Sequence, residues 1–164
     1  MLAGGSSYTS VYVEQLRRHQ SEQILFLDWV CGTALDELLT NAALFVLPSD
    51  LEGLSLALLD AMGAAVCVLT SDIPENREVI AGTGFTFQPG DATDLARMLR
   101  LLLSNARVRT VTGRNAQARV RERYLWPAIA AEIGHSYAEL AERTGALEGH
   151  LSQTTARATS EQVG

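Results

Sequence analysis

The sequence predicts a doubly wound parallel α/β domain, and three observations support this prediction. Runs that are apolar at nearly every position recur along the chain at Ile24–Leu27, Ala43–Leu47 and Val66–Thr70. A polar turn follows each run, and segments whose apolar residues have helical spacing lie between the runs. Short apolar strands that alternate with helices are typical of a parallel sheet covered on both faces.

Composition is that of a globular protein. With 164 residues, 47% of them hydrophobic and 20% charged, the chain has room for one domain with a core. The net charge of −6, with no basic stripe, argues against nucleic acid as a partner. No apolar run is long enough to span a bilayer. Cys31 and Cys67 are isolated, and the Cys/His spacing suggests neither a metal site nor a cofactor.

The first half of the chain alternates strands and helices. Met1–Gly5 has the pattern of a strand end that runs into a turn. The predicted helices are Tyr8–Gln20, residues 33–41, which Thr33 or Asp36 opens, and Leu54–Met62. The predicted strands between and after them are Ile24–Leu27, Ala43–Leu47 and Val66–Thr70. A buried parallel strand needs pairing along its whole length, so the chain is expected to be N-terminally truncated.

The second half becomes helical after one further strand. The predicted elements are a short helix at Glu75–Ile80 and a strand at Phe85–Phe87. From Ala92 on the chain is predicted to be helical, with an apolar stripe from Leu95 to Leu103, a charged helix at Asn105–Arg123 and a final helix at Trp126–Arg143. Asp91 or Thr93 is expected to cap the first of the long helices. Residues 1–143 form the predicted domain, and the polar residues 144–164 predict a disordered tail.

Two carboxylates mark the middle of the chain. Glu52 stands in the turn after Ala43–Leu47, and Asp60 follows eight residues later on an otherwise apolar helix. Burying a carboxylate is costly without partners, so a buried Asp60 would indicate a ligand. The unpaired N–H groups at the start of this helix suit an anion. A nucleotide sugar, with phosphates in its middle and hydroxyls at both ends, would fit this arrangement.

These residues carry a family resemblance. The segment EGLSLALLDAM, from Glu52 to Met62, resembles the E-x7-E signature of retaining family 4 glycosyltransferases. The segments LFVLPS, VLTSDIPENREVI, GFTFQPGDATDLARML and RVRERYLW resemble the same family, in its own order. The resemblance extends from about Leu2 to Arg143. It implies the C-terminal, donor-binding half of a GT-B fold, which is a Rossmann-like parallel sheet.

The resemblance also implies a role for each residue of the motif. Glu52 would be the catalytic residue, in contact with the transferred sugar or its phosphate near the reacting carbon. Asp60 would accept hydrogen bonds from the ribose hydroxyls. The substrate-binding residues are then Gly53, Leu54, Ser55, Leu56 and Asp60, and the amides of Leu54, Ser55 and Leu56 would hold the diphosphate.

The implied activity is the transfer of a hexose from a nucleotide-diphosphate sugar to a hydroxyl acceptor, with retention. The donor would be a UDP-, GDP- or ADP-sugar, and no cofactor is implied. A glycan or lipid-linked acceptor would bind through an N-terminal domain that precedes the present Met1, so this chain alone is expected to have little activity. The implied location is cytoplasmic, or peripheral at the inner membrane face if the acceptor is a lipid.

Several positions depart from the family pattern. The second acid is Asp60 rather than Glu, and Asp28 stands where the family commonly has Gly, which leaves the nucleotide base open. Ala64 and Ala65 replace a turn that often contains Gly. An Ala there would be strained if the position requires positive φ.

Two alternatives from other classes remain. The chain could be a non-catalytic nucleotide-sugar-binding or remnant module that keeps the fold without transfer. In that case Asp50 and Glu52 would only favour the helix macrodipole. A flavodoxin-like signalling domain is less supported, because its acid cluster would follow its first strand and none opens this chain.

Overall fold

The computed structural model describes residues 1–5 and 10–160 of the chain. Within these residues, five strands alternate with helices in the first part of the chain, as the apolar runs predict. The strands β1 to β5 are Leu2–Ala3, Phe26–Leu27, Phe45–Leu47, Val68–Ser71 and Phe85–Phe87. The helices α1 to α7 are Ser10–Arg17, Thr33–Thr40, Leu56–Gly63, Pro74–Ile80, Ala92–Leu103, Ala106–Arg123 and Trp126–Ser160.

All strand pairs are parallel, which confirms the predicted α/β fold class. β1 pairs with β2, and β3, β4 and β5 form a second sheet with β4 in its centre. In this sheet Leu47 of β3 lies opposite Thr70 of β4, and Thr70 lies opposite Thr86 of β5. β4 is buried at every residue, because it is the central strand of a sheet whose two faces are both covered.

The three-stranded sheet is covered on both faces. On one face, α5 packs its apolar stripe against alternate residues of the strands. This cluster consists of Cys67, Leu69, Phe87, Met98 and Leu102. Val68 points to the opposite face. There its side chain and that of Ile80, the last residue of α4, both lie against Gly84. A sheet covered in this way explains why its strands are mostly apolar on both faces.

Local sequence signals set several helix boundaries. Asp91 caps α5, because its Oδ1 accepts from the backbone N–H groups of Thr93 at 2.8 Å and Asp94 at 3.0 Å. Pro74 opens α4 at a position where it removes no helical hydrogen bond. The predicted start of α1 at Tyr8 lies outside the described residues, and α3 begins at Leu56, two residues later than predicted.

The chain divides into two compact units, residues 1–118 and the residues from Arg119 onward. In the second unit, the Arg119 guanidinium lies 5.8 Å from the ring centre of Tyr124. α7 continues to Ser160 and so includes residues 144–160, for which the sequence predicts a disordered tail. None of the helices in the described residues is long and apolar enough to cross a membrane.

Candidate functional site

The candidate site lies at the carboxyl edge of the three-stranded sheet. β3 ends at Leu47 and β4 at Ser71, and both ends open at the same edge because the strands are parallel. The loop after β3 contains Glu52 and leads into α3, and the turn after β4 leads into α4. Ligands of open α/β sheets bind outside this edge. The predicted acidic loop therefore lies where a ligand is expected.

Glu52 is held by a residue of its own loop. Ser49 Oγ donates a hydrogen bond of 2.6 Å to Glu52 Oε1, and both residues are half-buried. A hydrogen bond to an ionised carboxylate is stronger than one between neutral groups. It fixes one carboxylate oxygen, and the other oxygen can accept a hydrogen bond from a ligand.

The Ser49 backbone is in turn tied to β4 and α4. Ser71 Oγ donates a hydrogen bond to the carbonyl oxygen of Ser49. Asn76 Nδ2 donates to Ser71 O at 3.1 Å and to Ser71 Oγ at 3.2 Å. Three segments of the chain thus meet in one set of hydrogen bonds that ends at Glu52.

The start of α3 offers backbone N–H groups beside Glu52. Ser55 is its N-cap residue, but the Ser55 side chain makes no capping hydrogen bond. The first helical N–H groups, which begin at Leu56, have no carbonyl within the helix to bond. Together with the helix dipole they suit an anion. Gly53 and Leu54 precede the helix, and Gly53, Leu54 and Leu56 are exposed at its mouth.

The expected burial of Asp60 is wrong. Asp60 is exposed, whereas Leu58, Ala61 and Met62 form the buried face of α3. Because Leu58, Ala61 and Met62 face the core, the helix places the Asp60 carboxylate on its solvent side. Since α3 starts at Leu56, Asp60 lies about one turn inside the helix rather than two. Exposure removes the argument that its burial demands a ligand.

Two other features lie outside this loop. A pocket of about 500 Å³ is lined by residues of β2, the loop after it and α2, among them Leu27, Val30 and Leu38. In the same region, Arg17 Nη2 pairs with Asp28 Oδ1 at 3.0 Å. The pocket borders the loop after β2, which contains Asp28, a position where the chain departs from the family pattern. Within the described residues, no group of three His, Cys, Asp or Glu side chains could hold a metal ion.

Sequence reasoning missed Ser49, Ser71 and Asn76. Ser49 and Ser71 follow or end neighbouring parallel strands, a pattern that could have placed them together. Asn76 is buried, and it lies three and four residues before Val79 and Ile80, which are also buried. This spacing puts a polar amide on the apolar face of α4. The signal available in the sequence was therefore a polar residue at a position where the helical pattern predicts an apolar one.

A parallel α/β domain with a helix start suited to anions at its carboxyl edge is the architecture of a nucleotide-binding domain. Residues 1–105 match the model of the family described as glycosyl transferases group 1. The match covers more than half of the chain, and the chain belongs to this family. Its fold is that of the C-terminal domain of a GT-B glycosyltransferase.

Individual relatives agree with the family. Sulfoquinovosyl transferase SQD2 of Arabidopsis thaliana is 33% identical over 116 residues, which are 66% of this chain and 22% of that protein. Sucrose-phosphate synthase of Thermosynechococcus elongatus superposes with a TM-score of 0.76 at 25% identity, over 85% of this chain and 37% of the other. Anabaena HepE, solved with UDP-glucose, has a similar fold, with a TM-score of 0.76 at 19% identity over 84% of this chain and 40% of its own. The chain thus spans between about a fifth and two fifths of the length of these proteins.

Proposed function

We propose that the chain forms the donor-binding part of a retaining glycosyltransferase, which transfers a hexose from a nucleotide-diphosphate sugar to a hydroxyl acceptor. The observation that carries the proposal is the position of Glu52, held by Ser49 at the carboxyl edge of the sheet and next to the start of α3. Family membership supports the class of reaction. The complex of the similarly folded HepE with UDP-glucose supports a nucleotide-sugar donor.

The proposed mechanism uses positioning and charge stabilisation. The N–H groups from Leu54 to Leu56 hold the diphosphate, and the free oxygen of Glu52 accepts from a sugar hydroxyl near the anomeric carbon. The bond between this carbon and a diphosphate oxygen breaks, and a bond to the acceptor oxygen forms on the same face of the sugar. The acceptor proton passes to the departing diphosphate. The helix start stabilises the charge that develops on this leaving group.

Asp60 has a more modest proposed role. It is exposed on the second turn of α3, so it accepts hydrogen bonds from the ribose without a large desolvation cost. Because water competes for hydrogen bonds at an exposed position, Asp60 adds little to the free energy of nucleotide binding. We expect Asp60→Asn to weaken nucleotide binding only a few-fold.

The remaining parts of the proposal concern partners. The donor is a UDP-, GDP- or ADP-sugar, and the acceptor is a glycan or a lipid-linked glycan. No cofactor is proposed, and the reaction takes place in the cytoplasm or at the inner face of a membrane. We also propose that the acceptor binds to a separate domain, so that this chain alone has little transferase activity.

An amide NMR titration of the chain with UDP, GDP and ADP and with their glucose conjugates tests the donor site. We expect shifts at Gly53–Asp60 and in the loops after β2 and β4, with one base preferred. Glu52→Gln should weaken binding of the sugar conjugate more than binding of the diphosphate. Glu14→Gln removes an exposed acid of α1 and should change neither. A well-folded spectrum without shifts at these residues would contradict the proposal.

A further inference from the structure

Asn76 is a buried polar side chain outside the acidic loop. It is 1% exposed and lies on the apolar face of α4 together with Val79 and Ile80. A buried amide costs free energy unless its hydrogen bonds are made. Its amide nitrogen donates two hydrogen bonds to Ser71, at 3.1 Å to the carbonyl oxygen and 3.2 Å to the hydroxyl. The Asn76 amide nitrogen is therefore tied to Ser71 through two acceptors.

The direction of each hydrogen bond in this set follows from its acceptors. A carbonyl oxygen only accepts, so the Asn76 amide must present its NH2 group to Ser71 O. In the same way Ser71 Oγ must donate to Ser49 O, and its lone pair is then available to Asn76. The set of hydrogen bonds ends at Glu52. A carboxylate only accepts, so Ser49 Oγ must donate to it. The set has one consistent orientation.

The three contacts connect α4 to Glu52 through two neighbouring strands. Ser71 is 1% exposed and stands at the end of β4, twenty-two residues from Ser49. Because the bond from Ser71 holds the Ser49 backbone, it also sets where the Ser49 hydroxyl can point. This hydroxyl in turn contacts Glu52 at 2.6 Å. A displacement at Asn76 would thus reach the carboxylate through atoms in direct contact.

We propose that Asn76 and Ser71 are positioning residues for Glu52. Asn76 orients the Ser71 hydroxyl, Ser71 fixes the Ser49 backbone, and Ser49 holds the Glu52 carboxylate in the direction that a donor sugar requires. The part of this inference that concerns the sugar rests on the proposed function. The part that concerns the carboxylate itself does not.

A role of Asn76 in stability alone has a different consequence. If Asn76 only fastens α4 to β4, its loss lowers the free energy of unfolding and leaves Glu52 where it is. If Asn76 positions Glu52, its loss moves the carboxylate in a chain that is still folded. The NMR resonances of Glu52 and Ser49 separate the two.

The first experiment needs no ligand. We expect Asn76→Ala, and equally Ser71→Ala, to shift the side-chain carboxyl 13C resonance of Glu52 and the amide resonance of Ser49. Thr83→Val is the matched control, because it removes a 2.6 Å hydrogen bond to Ile80 O at the end of the same helix without touching the set. It should lower stability and leave the Glu52 resonance unchanged. Ser49→Thr, which keeps the hydroxyl, should retain the wild-type resonance, whereas Ser49→Ala should not.

The second experiment measures the affinities of the chain for UDP and for UDP-glucose by calorimetry. We expect Asn76→Ala to reduce the preference for the sugar conjugate about fivefold, which corresponds to one hydrogen bond. In a Glu52→Ala background the same change should have no further effect on this preference, because both changes remove one function.

Either experiment can overturn the inference. An unchanged Glu52 resonance in folded Asn76→Ala and Ser71→Ala chains would do so, even if nucleotides bind. Additive effects of Asn76→Ala and Glu52→Ala would also do so. If the wild-type chain binds neither UDP nor UDP-glucose while the Glu52 resonance responds as expected, positioning stands and the proposed donor fails.

Discussion

Gly113 of α6 lies directly against the backbone of Ala65, in the turn between α3 and β4. A Cβ added to Gly113 would lie 2.0 Å from the carbonyl oxygen of Ala65 and 2.8 Å from its carbonyl carbon. One turn later on α6, Gln117 Nε2 donates a bond of 2.8 Å to Gly63 O. α6 thus closes over the turn that leads into the central strand.

Gly113→Ala should be strongly destabilising. Any side chain at this position meets backbone rather than a flexible side chain, so α6 or the turn must move. We expect a loss of about 3 kcal/mol or more in the free energy of unfolding, measured by urea denaturation. Gly134→Ala is the matched control, because Gly134 is an exposed helical glycine with open space around it. There the change should stabilise its helix by about 1 kcal/mol. Equal effects of the two changes would contradict this account of the packing.

Ala65→Gly should stabilise the chain. Ala65 has φ +60°, a conformation in which a Cβ is strained, as the sequence led us to expect for this turn. The released strain exceeds the added entropy of the unfolded chain, and we expect a net gain of about 0.5–1 kcal/mol. Ala64, with φ −77°, provides the control. Ala64→Gly relieves no strain, so it should destabilise by about 0.5–1 kcal/mol, and a loss of stability in both variants would refute the assignment of strain.

The strands of this fold are predictable from sequence because their signal is local. Phe45–Leu47 and Phe85–Phe87 are short, mostly apolar runs between turn residues, as a parallel sheet covered on both faces favours. The same holds for Asp91, whose capping bonds reach only two and three residues along the chain. In patterns of this kind, the interacting residues lie close together in the sequence, so the sequence alone reveals them.

The candidate site was only partly predictable, because its decisive contacts are not local. Glu52 was found from its position before an apolar helix. The bond from Ser71 to Ser49 joins segments whose meeting depends on strand register. The exposure of Asp60 depends on which side of α3 faces the sheet, and apolar residues on both sides of it leave this undecided in the sequence.

The stability of the chain should fall in alkaline solution because of Cys67. Burial raises the pKa of this thiol from 9.0 to about 11, and Arg109 offsets part of the effect by favouring the thiolate. Between these two values the unfolded chain has released the proton that the folded chain keeps. The free energy of unfolding therefore decreases as the pH rises from about 9 to about 11, by at most about 1.4 kcal/mol per pH unit.

Urea denaturation of the wild type and of Cys67→Ala between pH 7 and pH 10.5 measures this contribution. The two chains share every other side chain, so the contributions of all other groups cancel in the difference. We expect the advantage of the wild type over Cys67→Ala to be constant up to about pH 9 and to shrink above it. A difference that stays constant up to pH 10.5 would show that the buried thiol has no raised pKa.

Thr70→Val should stabilise the chain, because the Thr70 hydroxyl is buried without a hydrogen-bond partner among the described residues. Valine has nearly the same shape and removes the cost of desolvating this oxygen, so we expect a gain of about 1–2 kcal/mol in the free energy of unfolding. Thr86 lies opposite Thr70 in β5 but is half-buried, and Thr86→Val should change stability by no more than about 0.5 kcal/mol. If Thr70→Val destabilises the chain instead, the hydroxyl must have a partner in solution, such as a bound water at the carboxyl edge. Amide exchange at Thr70 and Ser71 in the two variants would then show whether that partner also supports the end of β4.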